Sequence, residues 1–312
     1  MQYNNTLDII NVNSKYIDYL RTFSKLSGVL EHKADVSTTG GRKYVGVILS
    51  VDNKEYFIPI HSGSKEEKKR NIVYKNNNGI RKIKRSKFDI YYISTDANGN
   101  EKLQQVLKVA YMIPLPKSVR IQYSIQNEAN PVFKTNFQNL YNWINQQNNK
   151  NYLVSRANKI YFDKIKYSNL SKNDVDKLDE ESKKEYNYSK YYLDFKLLEE
   201  KCELWEKHPG IKNNFTDVSD IKNLNDHVRH KEHGYNTSMI EGKHFIYNDA
   251  LYRIDQIELK PLGTDSAILT KLNLSGEEKY IDNNFTSDAK FNLHLQKADN
   301  KILANIKDIK NK

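Results

Sequence analysis

A chain with one cysteine and few aliphatic side chains has to build its interior from tyrosine. Apolar residues occupy 38% of the 312 positions, and tyrosine alone accounts for 22 of them. A buried tyrosine packs its ring and still needs a partner for its hydroxyl. The composition therefore predicts a folded chain whose core is aromatic and internally hydrogen-bonded, not a disordered one. The single Cys202 excludes an internal disulfide framework and a multi-cysteine zinc site, and it suits a reducing cytoplasm. Mean hydropathy is −0.81, and no apolar run approaches the roughly 18 residues of a spanning helix, so no membrane association is expected. The first residues, Met1-Gln2-Tyr3-Asn4-Asn5, do not read as a secretory signal.

The formal charge of +11 is unevenly spread. Residues 1–165 carry a net +13, residues 166–209 a net −2, and residues 210–312 none. Within the basic half, 61–90 holds 10 basic against 3 acidic groups, densest at Lys65, Lys68, Lys69, Arg70 and again at Arg81, Lys82, Lys84, Arg85, Lys87. Such clusters suit a polyanion, because each cation releases condensed counterions from phosphates. They also suit a solvated loop in a lysine- and asparagine-rich chain.

Hydrophobic spacing sets out the elements. Ile9–Val12 reads as a strand, followed by a helix capped by Ser14 with Tyr16, Ile17, Leu20 and Phe23 on one face. Tyr44–Val51 and Glu55–Ile60 read as a hairpin around Asp52-Asn53-Lys54. Strands are expected at 72–74, 88–93, 106–113 and 119–125, and helices at 133–144, 151–165 and 174–187. Tyr191 to Trp205 reads as a helix with Leu193, Leu197, Leu198, Cys202 and Trp205 as its apolar stripe, ended by His208-Pro209-Gly210. That Pro-Gly pair coincides with the charge change and predicts two domains, 1–209 and 210–312. In the second, helices are expected at 219–231 and 286–311, with strands at 244–247, 250–259, 266–274 and 278–282.

One segment gathers chemistry. His61-Ser62-Gly63-Ser64-Lys65 lies where a strand opens into a loop. It offers an imidazole, a hydroxyl, backbone that a glycine leaves accessible, and an ammonium, a set that can hold a phosphate and move a proton. The same five residues also read as an ordinary polar turn. His227, His230 and His233 fall on one helix face, but Arg229 and Lys231 lie between them and no cysteine joins, so a solvated basic face is expected rather than a metal site. Cys202 reads as packing, and Glu180-Glu181 and Glu199-Glu200 read as surface charge.

The order of several pieces resembles the ToxN/AbiQ family, the endoribonuclease toxins of type III toxin–antitoxin and phage abortive-infection systems. The pieces are Asn13-Ser14-Lys15-Tyr16-Ile17-Asp18-Tyr19-Leu20, Tyr44-Val45-Gly46-Val47-Ile48-Leu49, Lys54–Ile60 followed by His61-Ser62, Lys108–Pro114, and Asp194–Lys201. The resemblance implies an α+β fold, a twisted antiparallel barrel-like sheet surrounded by helices as in the MazF/Kid toxins, here with a C-terminal α+β extension at 210–312. It implies cleavage of single-stranded RNA without a metal or other cofactor. It implies two partners, a cellular or phage RNA substrate and an antitoxin RNA of repeated pseudoknots, with assembly into a ribonucleoprotein oligomer.

On the residues that match, the resemblance makes Ser62 the active-site serine, Lys65 the nearest counterpart of a catalytic-loop lysine, and Tyr16 a tyrosine of the N-terminal motif. The family's usual Ser-Pro-Lys stands here as Ser62-Gly63-Ser64-Lys65, one residue longer, and His61 replaces a threonine or serine. The expected chemistry is attack by the substrate's own 2′-OH, with Ser62 on the phosphate, Lys65 on developing charge, His61 on the proton, and Tyr16 orienting the phosphate or stacking a base. Lys15, Lys43, Ser64, Lys68, Lys69, Arg70, Arg81, Lys82, Lys84 and Arg85 are expected to follow the RNA backbone. A non-catalytic RNA-binding protein using the same basic surface is the alternative.

Overall fold

The computed structural model describes residues 6–31, 41–62, 74–75, 81–82, 88–95, 101–221, 237–258, 265–285 and 293–298. These divide into two compact units. The first runs to Cys202, and the second comprises Thr22–Ser24 together with everything from Glu203 onward.

The first unit contains β1 (Asp8–Val12), α1 (Ser14–Thr22), β2 (Tyr44–Val51), β3 (Lys54–His61), β4 (Tyr74–Lys75), β5 (Arg81–Lys82), β6 (Ile90–Thr95), β7 (Glu101–Leu107), β8 (Ile113–Pro114) and β9 (Arg120–Gln122). It continues with α2 (Pro131–Ile144), α3 (Gln147–Tyr167), α4 (Lys172–Asp176) and α5 (Glu180–Ser189), and with α6 (Phe195–Lys207), within which the boundary falls. Among the described residues, seven strands form one antiparallel sheet in the order β6-β7-β3-β2-β1-β9, with β8 also on β3, while β4 and β5 pair separately.

β3 organises this sheet by changing partners along its length. One edge pairs with β2 from Lys54 to Pro59, while on the other Tyr56 and Phe57 pair with β8, and Ile60 and His61 pair with β7. Asp52 and Asn53 form the two-residue turn of the β2–β3 hairpin, both with positive φ, the geometry whose twist suits adjoining strands. The sheet remains open: β6 and β9 lie at opposite ends without pairing among the described residues. The expected barrel is corrected here. β9 has three residues and follows the tight turn Lys117–Val119, so it is too short to extend the ladder into a closed one.

Two other strand expectations shorten for a related reason. The segment 106–113 leaves β7 at Leu107, makes a tight turn at Val109–Tyr111 and re-enters as β8, because the Lys108 N–H bonds back to Pro59 O. Of 119–125, only Arg120–Gln122 is strand.

The interior is aromatic. Tyr16, Tyr19, Tyr44, Tyr56 and Tyr161 are all buried. The Tyr16 hydroxyl donates to Pro114 O at 2.9 Å, and that of Tyr19 to Lys201 O at 3.1 Å. Tyr56 and Tyr161 both donate to Glu199 Oε1 at 2.7 Å. Glu199 also receives Lys196 Nζ at 2.8 Å on its other oxygen. Glu199 is therefore a buried acceptor, not the surface charge its Lys-rich helix suggested. α3 packs on β2 and the Val109–Tyr111 turn through Leu153, Ala157, Ile160 and Tyr161, a helical i, i+4, i+7, i+8 face. Asn130 caps α2, accepting from Val132 N at 3.0 Å with Pro131 as the first helical residue.

The second unit holds α7 (Ile211–Asn214) and an antiparallel meander of β10 (His244–Tyr247), β11 (Ala250–Glu258), β12 (Asp265–Leu272), β13 (Glu277–Phe285) and β14 (Leu295–Lys297). Its core joins Ile221, Ile240, Phe245, Tyr252, Ile254, Ile257, Ala267, Leu269 and Phe285. The expected terminal helix is corrected at Leu295–Lys297, which pairs with β13 as a strand. Residues 218–221 are helical, while the rest of the expected 219–231 helix lies outside the described residues. Among the described residues, no helix is long and apolar enough to cross a membrane.

Two outcomes follow from this packing. A Cβ at Gly46 would stand 2.0 Å from the Phe57 ring. Gly46→Ala should destabilise the first unit by about 1–3 kcal/mol, read as a lower denaturant midpoint. In the second unit, burial, then Arg253 and His208, push the His244 pKa down to about 4. The folded unit holds this imidazole neutral, whereas the unfolded chain takes up a proton below about 6.5. Its stabilising contribution is thus full above that pH and declines as pH falls towards 4. Denaturation of the full chain at stepped pH should show this slope, and His244→Gln should flatten it.

Candidate functional site

β3 carries the candidate chemistry to the end of the sheet. Ile58 and Ile60 are buried, His61 is half-buried, and Ser62 is exposed immediately beyond the strand. The pairing of Ile60 and His61 with Leu107 and Val106 fixes the last turn of this strand before the chain leaves the sheet. A hydroxyl at this point faces solvent from a rigid base, an arrangement suited to binding groups.

A guanidinium that was not expected holds the backbone of this strand end. Arg42 Nη1 donates to Ile60 O at 3.1 Å, and its Nε donates to Glu31 O at 3.0 Å. The carbonyl it holds is one residue before His61 and two before Ser62. Burial pushes the Arg42 pKa down, with Tyr44 and Glu31 opposing, and an arginine remains charged throughout the ordinary pH range. Two of its N–H groups reach these backbone carbonyls, out of five that a guanidinium carries. Sequence inspection passed over it because it opens a buried strand. Its partners, Glu31 O and Ile60 O, are 11 and 18 residues away, so no local pattern marks it.

The other expected residues divide sharply. Lys15 is exposed at the start of α1. Lys43 is buried: its Nζ donates to Gly41 O at 3.0 Å and lies 4.6 Å from the centre of the Tyr123 ring. Burial lowers its pKa, with Glu128 opposing. Its ammonium is thus held inside the protein, which corrects its assignment to the RNA backbone. Tyr16 is also corrected. It is 0% exposed and its hydroxyl is bonded to Pro114 O, so neither phosphate nor base reaches it in this fold.

Ser64, Lys65, Lys68, Lys69, Arg70, Lys84 and Arg85 lie outside the described residues, as do Gly63 and the three histidines 227, 230 and 233. Arg81 and Lys82 are described as backbone only, pairing as β5 with β4. Among the described residues, no cluster of three or more His, Cys, Asp or Glu side chains is arranged to hold a metal.

The site therefore brings together His61, Ser62 and Arg42 at one strand end. An imidazole can donate or accept a hydrogen bond, a hydroxyl can do both, and a guanidinium favours phosphate oxygens.

A model of the family described as Toxin ToxN, type III toxin-antitoxin system, matches residues 8–203. The chain belongs to this family. Three solved structures also resemble part of it. One comes from bacterial type III toxin–antitoxin systems with selective toxin inhibition by a non-coding RNA pseudoknot. It is 24% identical, with 65% of this chain and 99% of that one covered and a TM-score of 0.46. AbiQ, a lactococcal anti-phage endoribonuclease of a type III system, is 25% identical over 65% of this chain and 99% of its own, with a TM-score of 0.45. A third, from a bacterial antiviral system regulated by a processed non-coding RNA, is 17% identical over 63% and 97%, with a TM-score of 0.42. None of the curated proteins compared with the chain matches it.

The correction at Tyr16 has a measurable consequence. Tyr16→Phe removes one buried hydrogen bond and keeps the ring, so it should lower stability by about 0.5–1.5 kcal/mol in chemical denaturation.

Proposed function

We propose that this chain is the endoribonuclease toxin of a type III toxin–antitoxin system and cuts single-stranded RNA through the substrate's own 2′-OH. The family match over residues 8–203 carries this reading. The exposure of Ser62 at the end of β3, with Arg42 on the adjoining carbonyl, supports its placement at this site. The related AbiQ is an endoribonuclease.

The products are a 2′,3′-cyclic phosphate and a 5′-OH. The 2′ oxygen bonds to phosphorus and loses its proton, while the 5′ oxygen leaves and gains one. Ser62 holds the scissile phosphate. His61 accepts or donates the moving proton, and Lys65 and Arg42 stabilise the charge that develops on phosphorus-bound oxygens. No step requires a metal. A flexible single strand can rotate its 2′-OH into line with the leaving oxygen, which a stacked duplex resists.

The same surface takes an antitoxin RNA of repeated pseudoknots, as inhibition by a non-coding RNA pseudoknot in a similar system suggests. Assembly with that RNA is into a ribonucleoprotein oligomer, in the cytoplasm where both RNAs reside. Residues 1–209 form the nuclease and 210–312 an extension outside the chemistry.

Purified protein should cut RNA in EDTA, leave 5′-OH ends and spare DNA, which lacks the attacking hydroxyl. Ser62→Ala should slow cutting by about 10²–10³-fold, the usual loss for one phosphate- or oxyanion-holding donor, while retaining antitoxin RNA. Folded Tyr16→Phe should cut at nearly the wild-type rate. Cleavage of DNA, or a strict metal requirement, would overturn the mechanism.

A further inference from the structure

A cleft of about 640 Å³ opens between α3 and α5, lined by Arg156, Lys159, Asp163, Glu180, Glu181, Lys184, Glu185, Tyr188 and Tyr192. Its volume lies in the range of small-ligand sites. Its charges are not equivalent. Lys159 bridges Asp163 at 3.1 Å and Glu185 at 2.6 Å, and Glu185 accepts the Tyr167 hydroxyl at 2.9 Å. Those three groups therefore satisfy one another. Arg156 and Lys184 make no hydrogen bond or ion pair among the described residues. Arg156 is half-buried, as an arginine is when its stem packs against the protein and its head stays in water.

The aromatic side of the cleft is built. Phe88 sits 5.5 Å from Tyr188 and 5.8 Å from Tyr192, edge-on to both. It backs these rings and restrains their rotation. Tyr192 is 8% exposed, and Tyr188 is half-buried. Burial and then Asp163 raise the Tyr192 pKa, with Arg156 and Lys159 acting against them. Glu181 is exposed at the edge. A carboxylate there accepts hydrogen bonds from the exocyclic amine of a base.

We infer that this cleft binds a single nucleotide, its phosphate on Arg156 and Lys184 and its base against Tyr188. A base with an exocyclic amine is favoured by Glu181. The ligand chemistry has two sources, a nucleotide extruded from a single RNA strand or a free nucleoside monophosphate. The first source rests on the RNA reading above; the second does not.

Two probes separate them: fluorescently labelled AMP, and a labelled hexanucleotide with 2′-O-methyl riboses that cannot be cut. Each is titrated against the full chain and against Arg156→Ala, Tyr188→Leu and Tyr188→Phe, with folding checked by thermal melting. Arg156→Ala and Tyr188→Leu should each weaken binding about tenfold, within the range for one stacked base, and Tyr188→Phe should restore it. Weakening of the hexanucleotide alone identifies RNA as the source, and weakening of AMP identifies the free nucleotide. The inference is overturned when folded Arg156→Ala leaves both probes unchanged. It is also overturned when only the arginine matters, because that marks a surface cation without a base site. RNA cleavage by the same variants reports on Ser62 independently of these titrations.

Discussion

A single buried carboxylate ties together the three elements on which the first unit depends. Glu199 of α6 accepts from Tyr56 of β3 and Tyr161 of α3, and its other oxygen is held by Lys196 one helical turn earlier. Burying a carboxylate is costly unless it is hydrogen-bonded and paired with a cation. Here two phenol donors and one ammonium meet that condition. The rings around it are equally fixed: Tyr161 stacks on Phe195 at 5.4 Å, and Tyr56 lies edge-on to both. Tyr56 sits five residues before His61. The strand that presents the candidate chemistry is therefore anchored by a hydrogen bond near its middle and by the β7 pairing at its end.

The shape of that strand depends on a second contact. Gly46 and Phe57 approach so closely that no side chain fits on the glycine. On its way out of the core the Phe57 ring meets Arg120, whose guanidinium carbon lies 4.7 Å from the ring centre. Arg120 in turn bonds Leu115 O through Nε at 2.9 Å and pairs with Glu55. β2 shifts register between Val45 and Leu49 opposite this ring, and such irregularities bend a strand. The β2–β3 pair is therefore bent around Phe57, and Arg42, just ahead of β2, comes back to the Ile60 carbonyl. Arg42 meets the Ile60 carbonyl, two residues before Ser62, because the hairpin folds them together, not because they are close in sequence.

This explains what could be read from the chain and what could not. The hairpin was legible, since Tyr44–Val51 and Glu55–Ile60 are apolar runs around Asp52-Asn53, residues that tolerate positive φ. The α6 stripe was legible as well: Leu198, Cys202 and Trp205 recur at helical spacing and all are buried. The role of Glu199 was hidden, because Lys196 and Glu199 three apart look like an exposed helix pair. Which carboxylate turns inward is decided by Tyr56 and Tyr161, respectively 143 and 38 residues away. Tyr16 misled for the converse reason. A tyrosine in a recurring motif suggests substrate contact, yet Tyr16 is a core residue whose buried hydroxyl is bonded internally, to Pro114 O.

The same requirement changes the meaning of the basic charge. The excess of the N-terminal half suggests a surface of free cations, but several are committed inside the first unit. Lys43 is held by Gly41 O and Tyr123, Lys108 pairs with Asp89 at 2.9 Å, and Arg120 is bound to Leu115 and Glu55. Each replaces hydration lost on burial with an internal partner, which leaves it less available to a polyanion than an exposed, unpaired cation. The charge left to attract a polyanion is smaller than the net +13 of residues 1–165, and it is more localised. In the proposed reaction the phosphate contact at the end of β3 is local, a hydroxyl and a guanidinium set by one hairpin, while general electrostatic attraction is left to cations that the core has not used.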